Sequence, residues 1–188
     1  MRGLSETGEV EVANKTKDEI FMDEALQLAE RAGRMGEVPV GALVVLEGKV
    51  IGAAGNASIK NSDPTAHAEM LAIKQASSHL GTYRLAGASL YVTIEPCTMC
   101  LGAMMHARIS RLVFGALEAK SGAVVSNDVM SIGHFNHAIE VTSGVRAEIC
   151  GSLMSDFFGR RRSCGKLCST PDSSDRPFCK ILLKKKFS

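Results

Sequence analysis

Residues 66–100 read AHAEMLAIKQASSHLGTYRLAGASLYVTIEPCTMC. Three elements follow one another in this stretch. A helix is expected from about Ala66 to Ser78, behind the loop Asn61-Ser62-Asp63-Pro64-Thr65, where Thr65 or Asp63 can cap it. Ser89–Ile94 reads as a strand, and Glu95-Pro96 ends it, because a residue before proline is pushed towards extended geometry. A second helix runs from Cys97 to about Ala107. Helices alternating with short strands imply an α/β fold, a sheet with helices packed on its faces.

The same alternation extends outward. Upstream, Phe21, Ala25, Leu28, Ala29 and Ala32 recur at helical spacing from Asp18, with Asp18 and Glu19 at the N-terminal end and Gly33 and Gly36 closing it. Val40–Leu46 and Val50–Ala54 are apolar runs split by Glu47-Gly48-Lys49, a β-hairpin signal. Downstream, Leu112–Ala116 and Ile139–Thr142 read as fourth and fifth strands. In the last helix, VRAEICGSLMSDFFGRRR, Val145, Ile149, Leu153 and Phe157 form one stripe with Cys150 and Met154 beside it. There is no internal repeat.

The 188 residues are one domain's worth of sequence, 45% apolar and 22% charged. The net charge of +2 conceals a split. Arg160–Ser188 hold nine basic and two acidic residues, whereas residues 1–159 carry a net −5. An acidic body with a basic tail favours a polyanionic partner. The expected organisation is a polar arm over 1–17, a domain over 18–162, and a mobile Ser/Pro/Cys-rich tail over 163–188. The N-terminus has no apolar leader core and no run is long enough to span a membrane, so a cytoplasmic protein is expected. There, paired cysteines among the six more often bind metal than form disulfides.

The chemistry concentrates at His67-Ala68-Glu69 and Pro96-Cys97-Thr98-Met99-Cys100. Cys97 and Cys100 share a helix face, and the helix N-terminus favours thiolates. With a His67 imidazole they make a ligand set for tetrahedral Zn²⁺. Three protein ligands leave a fourth position for water, the mark of a catalytic site, and zinc brings the pKa of that water towards ~7. Glu69, two residues from His67, is placed to shuttle protons. Taken singly, each half reads otherwise. Cys-x-x-Cys also suits a redox pair or half a zinc ribbon, with Cys164 and Cys168 as a poor second knuckle, and His67 alone suits a cap or core residue. The joint pattern H-x-E…P-C-x-x-C is the signature of zinc-dependent nucleobase deaminases.

With that motif and the runs EVPVGALVV, DPTAHAEMLAIKQ, YRLAGASLYVTIEPCTMCLGAMMHARISRLVFGA, FNHAIEV and LMSDFFGRRR, the chain resembles the bacterial tRNA-specific adenosine deaminases of the cytidine/deoxycytidylate deaminase superfamily. The similarity spans about Asp18 to Arg162. The resemblance implies a three-layer α/β/α, cytidine-deaminase-like fold with a central mixed five-stranded sheet. It implies conversion of adenosine to inosine at the wobble position of a tRNA anticodon, in bacteria that of the arginine tRNA. His67, Cys97 and Cys100 would hold one Zn²⁺ per subunit. A zinc-activated hydroxide would attack adenine C6, Glu69 would protonate N1 and the leaving amine, and ammonia would depart.

Further matches follow from the same resemblance. The Ala68 and Cys97 N–H groups would lie near the reacting atoms. Asn56 would contact the flipped base or its ribose, its alternative being a turn residue. Val38, Pro39 and Val40 would wall the pocket or simply enter the core. His106, Asn136 and His137 would meet the anticodon loop or the pocket rim, the alternative for each histidine being a plain surface or core place, and Tyr83 and Arg84 would stack on or grip RNA. Phe157 would be core and Phe158 would flank the substrate. Arg160, Arg161 and Arg162 would contact phosphate or simply end a helix. Leu117-Glu118-Ala119-Lys120 departs from the family pattern; Glu118 keeps the acid on a longer arm. Cys150 is expected in the core, and Cys164, Cys168 and Cys179 as free thiols. The partners implied are a tRNA anticodon stem-loop and a second copy in a homodimer, with no membrane. Two other functions fit the motif: a small-molecule cytosine or guanine deaminase, and a noncatalytic zinc-stabilised RNA-binding module.

Overall fold

The computed structural model describes residues 15–132 and 135–167. Most of the N-terminal arm, the tail from residue 168 with Cys168 and Cys179, and the side chain of Cys164 lie outside the described residues. Five strands form one sheet: β1 (Gly41–Leu46), β2 (Lys49–Gly55), β3 (Ser89–Ile94), β4 (Arg111–Ala116) and β5 (Glu140–Ser143), in the order β2-β1-β3-β4-β5. β1 runs antiparallel to both β2 and β3, while β3, β4 and β5 are parallel. The sheet is therefore mixed, as expected. The remaining elements are α1 (Lys17–Arg34), α2 (Ser58–Asn61), α3 (Ala68–Leu80), α4 (Thr98–Ala107), α5 (Val129–Ile132) and α6 (Ala147–Leu167).

Strand alternation sorts the core into two layers. Ala42, Val44, Leu90, Val92, Leu112 and Phe114 face α3 and α4. Their neighbours Leu43, Val45, Tyr91 and Val113 face α1 and Cys150 of α6. Each large buried side chain contributes about 1.5–3 kcal/mol by leaving water. Helix α3 meets the sheet through Ala68, Ala72 and Ala76, all fully buried, so its backbone lies close to the strands. Across the other face, Arg111 of β4 donates to both oxygens of Asp18 of α1 at 2.8 Å, and Tyr91 donates to the same carboxylate.

Several local expectations change. Helix α3 is preceded by His67 as its N-cap, not Thr65 or Asp63; the Asp63 carboxylate instead accepts from the Thr65 N–H and hydroxyl and shapes the loop. Helix α1 passes Gly33 and ends at Arg34. The buried stripe of α6 is carried by Cys150 and Phe157, with Leu153 and Met154 packed beside the core. Val145 precedes that helix, and Ile149 is turned off the stripe at 52% exposure. The helix continues five residues beyond Arg162, to Leu167. The elements α2 and α5 add two single turns that no sequence period marks.

Candidate active site

The carboxyl end of β3 and the starts of α3 and α4 meet at one place, the position where ligands sit in open α/β sheets. His67 and Cys97 are the N-caps of α3 and α4, and Cys100 lies one turn into α4. His67 Nδ1 is 3.7 Å from Cys97 Sγ and 3.5 Å from Cys100 Sγ, and the two sulfurs are 3.6 Å apart. Tetrahedral zinc with bonds of ~2.3 Å to sulfur and ~2.0 Å to nitrogen places such atoms roughly 3.8 Å (S···S) and 3.5 Å (S···N) apart. The three donors thus stand at zinc-binding distances, and a group of three such donors within 4.8 Å of one another suits a metal ion.

The electrostatics of the cluster follow from its contacts. The hydrogen bond shared with Cys100, and then His67, pull the Cys97 thiol down to about 3. The same shared bond, with burial, pushes the Cys100 thiol up. Hydrogen bonding to Cys97 raises His67 against the opposing effect of burial. Glu69, at 3% exposure, sits in the first turn of α3; burial raises its pKa, so it keeps a proton to higher pH than an ordinary glutamate.

A cavity of about 280 Å³ adjoins the cluster. It brings together Val38, Val40, Asn56, His67, Glu69, Cys97, Glu118 and Phe158 from six separate parts of the chain. Ala68 lies fully buried at the start of α3, next to the cluster. Pro39, Arg160 and Arg161 border a neighbouring cavity of about 580 Å³ between α1 and α6. His106 and Asn136 sit apart, in a third cavity with Tyr83, Arg84 and Arg108, where Arg108 holds the Asn136 backbone and side-chain oxygens. His137 borders none of these; its Nε2 lies 2.6 Å from the Ile109 carbonyl oxygen and ties its loop to the end of α4. Glu118 curls back so that its carboxylate accepts from the Lys120 N–H.

Two buried carboxylates on the cavity escape sequence reasoning, Glu37 and Glu95, each 2% exposed. Glu95 accepts from the N–H groups of Glu118, Val124, Val125 and Ser126 and from the Ser126 hydroxyl. Burial alone would raise its pKa; the Ser126, Glu118 and Val125 donors override it and hold the carboxylate at about 2. It lies so close to Gly122 that a Cβ there would run into it. This carboxylate moulds loop 118–126 against Cys97. Its signal in sequence is only Glu-Pro-Cys, since its partners are four backbone N–H groups and one hydroxyl more than twenty residues away.

A histidine and two cysteines that could hold a metal, with a buried glutamate beside them, gather at the carboxyl end of the central strand of a mixed sheet, the arrangement expected of a zinc-dependent deaminase. The chain belongs to the cytidine and deoxycytidylate deaminase family, whose zinc-binding region matches residues 15–116. It is 49% identical over 152 residues to a tRNA-specific adenosine deaminase of Haemophilus influenzae, covering 80% of this chain and 88% of that protein. The corresponding Bacillus subtilis protein is 46% identical over 150 residues, with 78% and 92% covered. A solved structure from work on A-to-I editing by tRNA:A34 deaminases at the wobble position of transfer RNA superposes with a TM-score of 0.69 at 45% identity. That match covers 71% of this chain and 98% of the other.

Proposed function

We propose that this protein hydrolyses adenosine to inosine at the wobble position of a tRNA anticodon, with the arginine tRNA as substrate. The observation that carries the proposal is the assembly of His67, Cys97 and buried Glu69 on one small cavity, with Cys100 completing the metal-binding group beside it, in a chain nearly half identical to a tRNA-specific adenosine deaminase. His67, Cys97 and Cys100 are the residues that would hold zinc, one ion per subunit. When bound, zinc supplies a water acidic enough to ionise at neutral pH.

The chain's own residues do the rest. Glu69 takes a proton from the attacking water and delivers it to adenine N1, then takes the proton of the new C6 hydroxyl and passes it to the amine, which departs as ammonia while C6 becomes the carbonyl of inosine. Its burial favours the protonated form and so suits the acid half of that cycle. The Ala68 N–H is among the first N–H groups of α3, which have no partner inside the helix and can face the substrate. A cavity of about 280 Å³ takes a nucleoside and not a folded loop, so the base must leave its stack to enter. Asn56, Val38 and Phe158 then contact it at the wall and rim, with Pro39 behind. Arg160 and Arg161 contact backbone phosphate, which positions the loop without reading its sequence. Glu118, His106, Asn136 and His137 contact the remainder of the loop. In the homodimer these last groups serve the site together with the partner. The reaction takes place in the cytoplasm, and among the described residues no helix is long and apolar enough to cross a membrane.

The test is incubation of the purified protein with an arginine tRNA anticodon stem-loop, followed by nucleoside analysis and zinc determination. Inosine at the wobble position with one zinc per chain is expected. Turnover of free cytosine or guanine with no inosine would overturn the proposal in favour of a small-molecule deaminase.

A further inference from the structure

Glu37 differs from Glu95 in one respect: the side chain it grips, Asn56, itself lines the cavity, whereas the Ser126 hydroxyl bonded to Glu95 does not. The approach to it is set by the end of α1. The Met35 N–H bonds to the Arg31 and Ala32 carbonyls, Gly36 takes a left-handed φ of 83°, and the Glu37 N–H returns to Ala32 at 3.0 Å. That turn sends the Glu37 side chain inward. Its Oε2 accepts from Asn56 Nδ2 at 3.2 Å and from the Ile59 N–H at 3.1 Å, and its Oε1 accepts from the Lys60 N–H at 2.7 Å. Among the described residues no cation pairs with it.

Both Glu37 oxygens receive N–H donors, so the carboxyl group acts as an acceptor and decides which end of the Asn56 amide faces it. The NH₂ must point to Glu37. The amide oxygen takes no hydrogen bond from the described residues and is no buried orphan, on a residue that lines the cavity. We infer that Glu37 is a positioning residue for the substrate: it locks the Asn56 amide with its oxygen open to the cavity, as a fixed acceptor for a hydroxyl or amino group of the bound nucleoside. By bonding Ile59 and Lys60 it also holds α2, whose Ile59 borders the same cavity. The inference rests on the reading of Asn56 as a substrate contact. A glutamine at position 37 has the same shape but can present NH₂ to Asn56, which frees the amide to turn over.

The experiment is a double-mutant cycle of Glu37→Gln and Asn56→Ala, with kcat and KM on the anticodon stem-loop and zinc content for each protein. Glu37→Gln is expected to lower kcat/KM about ten- to a hundredfold with zinc unchanged. In the Asn56→Ala background the same change is expected to cost no more than about twofold, because the group it acts through is gone. Equal losses in both backgrounds overturn the inference, since a general defect in folding would act in both. Loss of zinc in Glu37→Gln overturns it too, by placing the effect on the metal cluster. If Glu37→Gln does not fold, Glu37→Asp completes the cycle with the acceptor kept and its reach shortened, under the same two criteria. An Asn56→Ala protein as active as the parent removes the amide's role and the inference with it. A parent that makes no inosine defeats the functional proposal first, and the inference then falls as its dependent.

Discussion

Glu69 is poised by two opposing effects. Burial disfavours its charge, while the first turn of α3 and the nearby histidine favour it, and burial dominates. The side chain is not needed to hold the metal, so Glu69→Gln should retain zinc while kcat falls by about 10²–10⁴, the usual worth of a positioned acid–base group. Metal analysis beside single-turnover rates checks this; a variant as active as the parent would remove Glu69 from the proton transfers. Glu95→Gln should behave in the opposite way. It removes an acceptor that serves five donors around loop 118–126, so it should lose about 1–3 kcal/mol of unfolding free energy in urea titrations. The ligands and Glu69 are legible in sequence because their residue types and spacings carry chemistry jointly. Glu37 and Glu95 are not, because a carboxylate bonded to distant backbone N–H groups leaves no periodicity and no motif.

At the scale of elements, the tie between α1 and β4 makes a prediction with a definite pH sign. Its hydrogen bond with Arg111 lowers the Asp18 pKa below the ordinary 3.8, against burial. A carboxyl whose folded pKa is depressed stabilises the fold above its unfolded pKa, and that contribution disappears as pH falls through the folded value. Asp18→Asn should therefore cost about 1–3 kcal/mol at pH 7. The gap between variant and parent should close below about pH 4, as followed by urea midpoints from pH 7 to 3; a gap independent of pH would exclude the carboxylate as its source. The elements joined by this pair are mostly readable in advance. β3 is expected at Ser89–Ile94 and lies there, because a β-branched run stopped by Glu95-Pro96 has few other readings. α2 and α5, at four residues each, are too short for a helical period to show. The stripe on α6 departs from expectation at Ile149 because four-residue spacing drifts around a helix, and only packing on the sheet decides that Cys150 and Phe157 point inward.

For the whole molecule the question is how an acidic body takes hold of a polyanion. Residues 1–159 carry a net −5, so association with the RNA proposed as its substrate would draw on the positive surplus that begins at Arg160. Arg160 and Arg161 sit on α6 beside the cavities, but Arg176, Lys180, Lys184, Lys185 and Lys186 follow the helix and lie outside the described residues. Because α6 runs to Leu167, a cut at Arg162 would remove its last turn, and Leu167 is the proper end for a truncation. Removing residues 168–188 should raise KM for the stem-loop at moderate salt, leave kcat and the melting temperature unchanged, and reduce the salt dependence of binding. For every phosphate that the shortened chain no longer neutralises, the slope of log affinity against log salt falls by roughly 0.7. Binding measured between low and moderate salt for the full chain and the truncated one reads that slope directly. A parallel pair of lines would assign recognition to α6 and the cavity rim alone; a shallower line for the truncated chain shows that the tail offsets the repulsion of the acidic body, which a net charge of +2 for the whole chain hides.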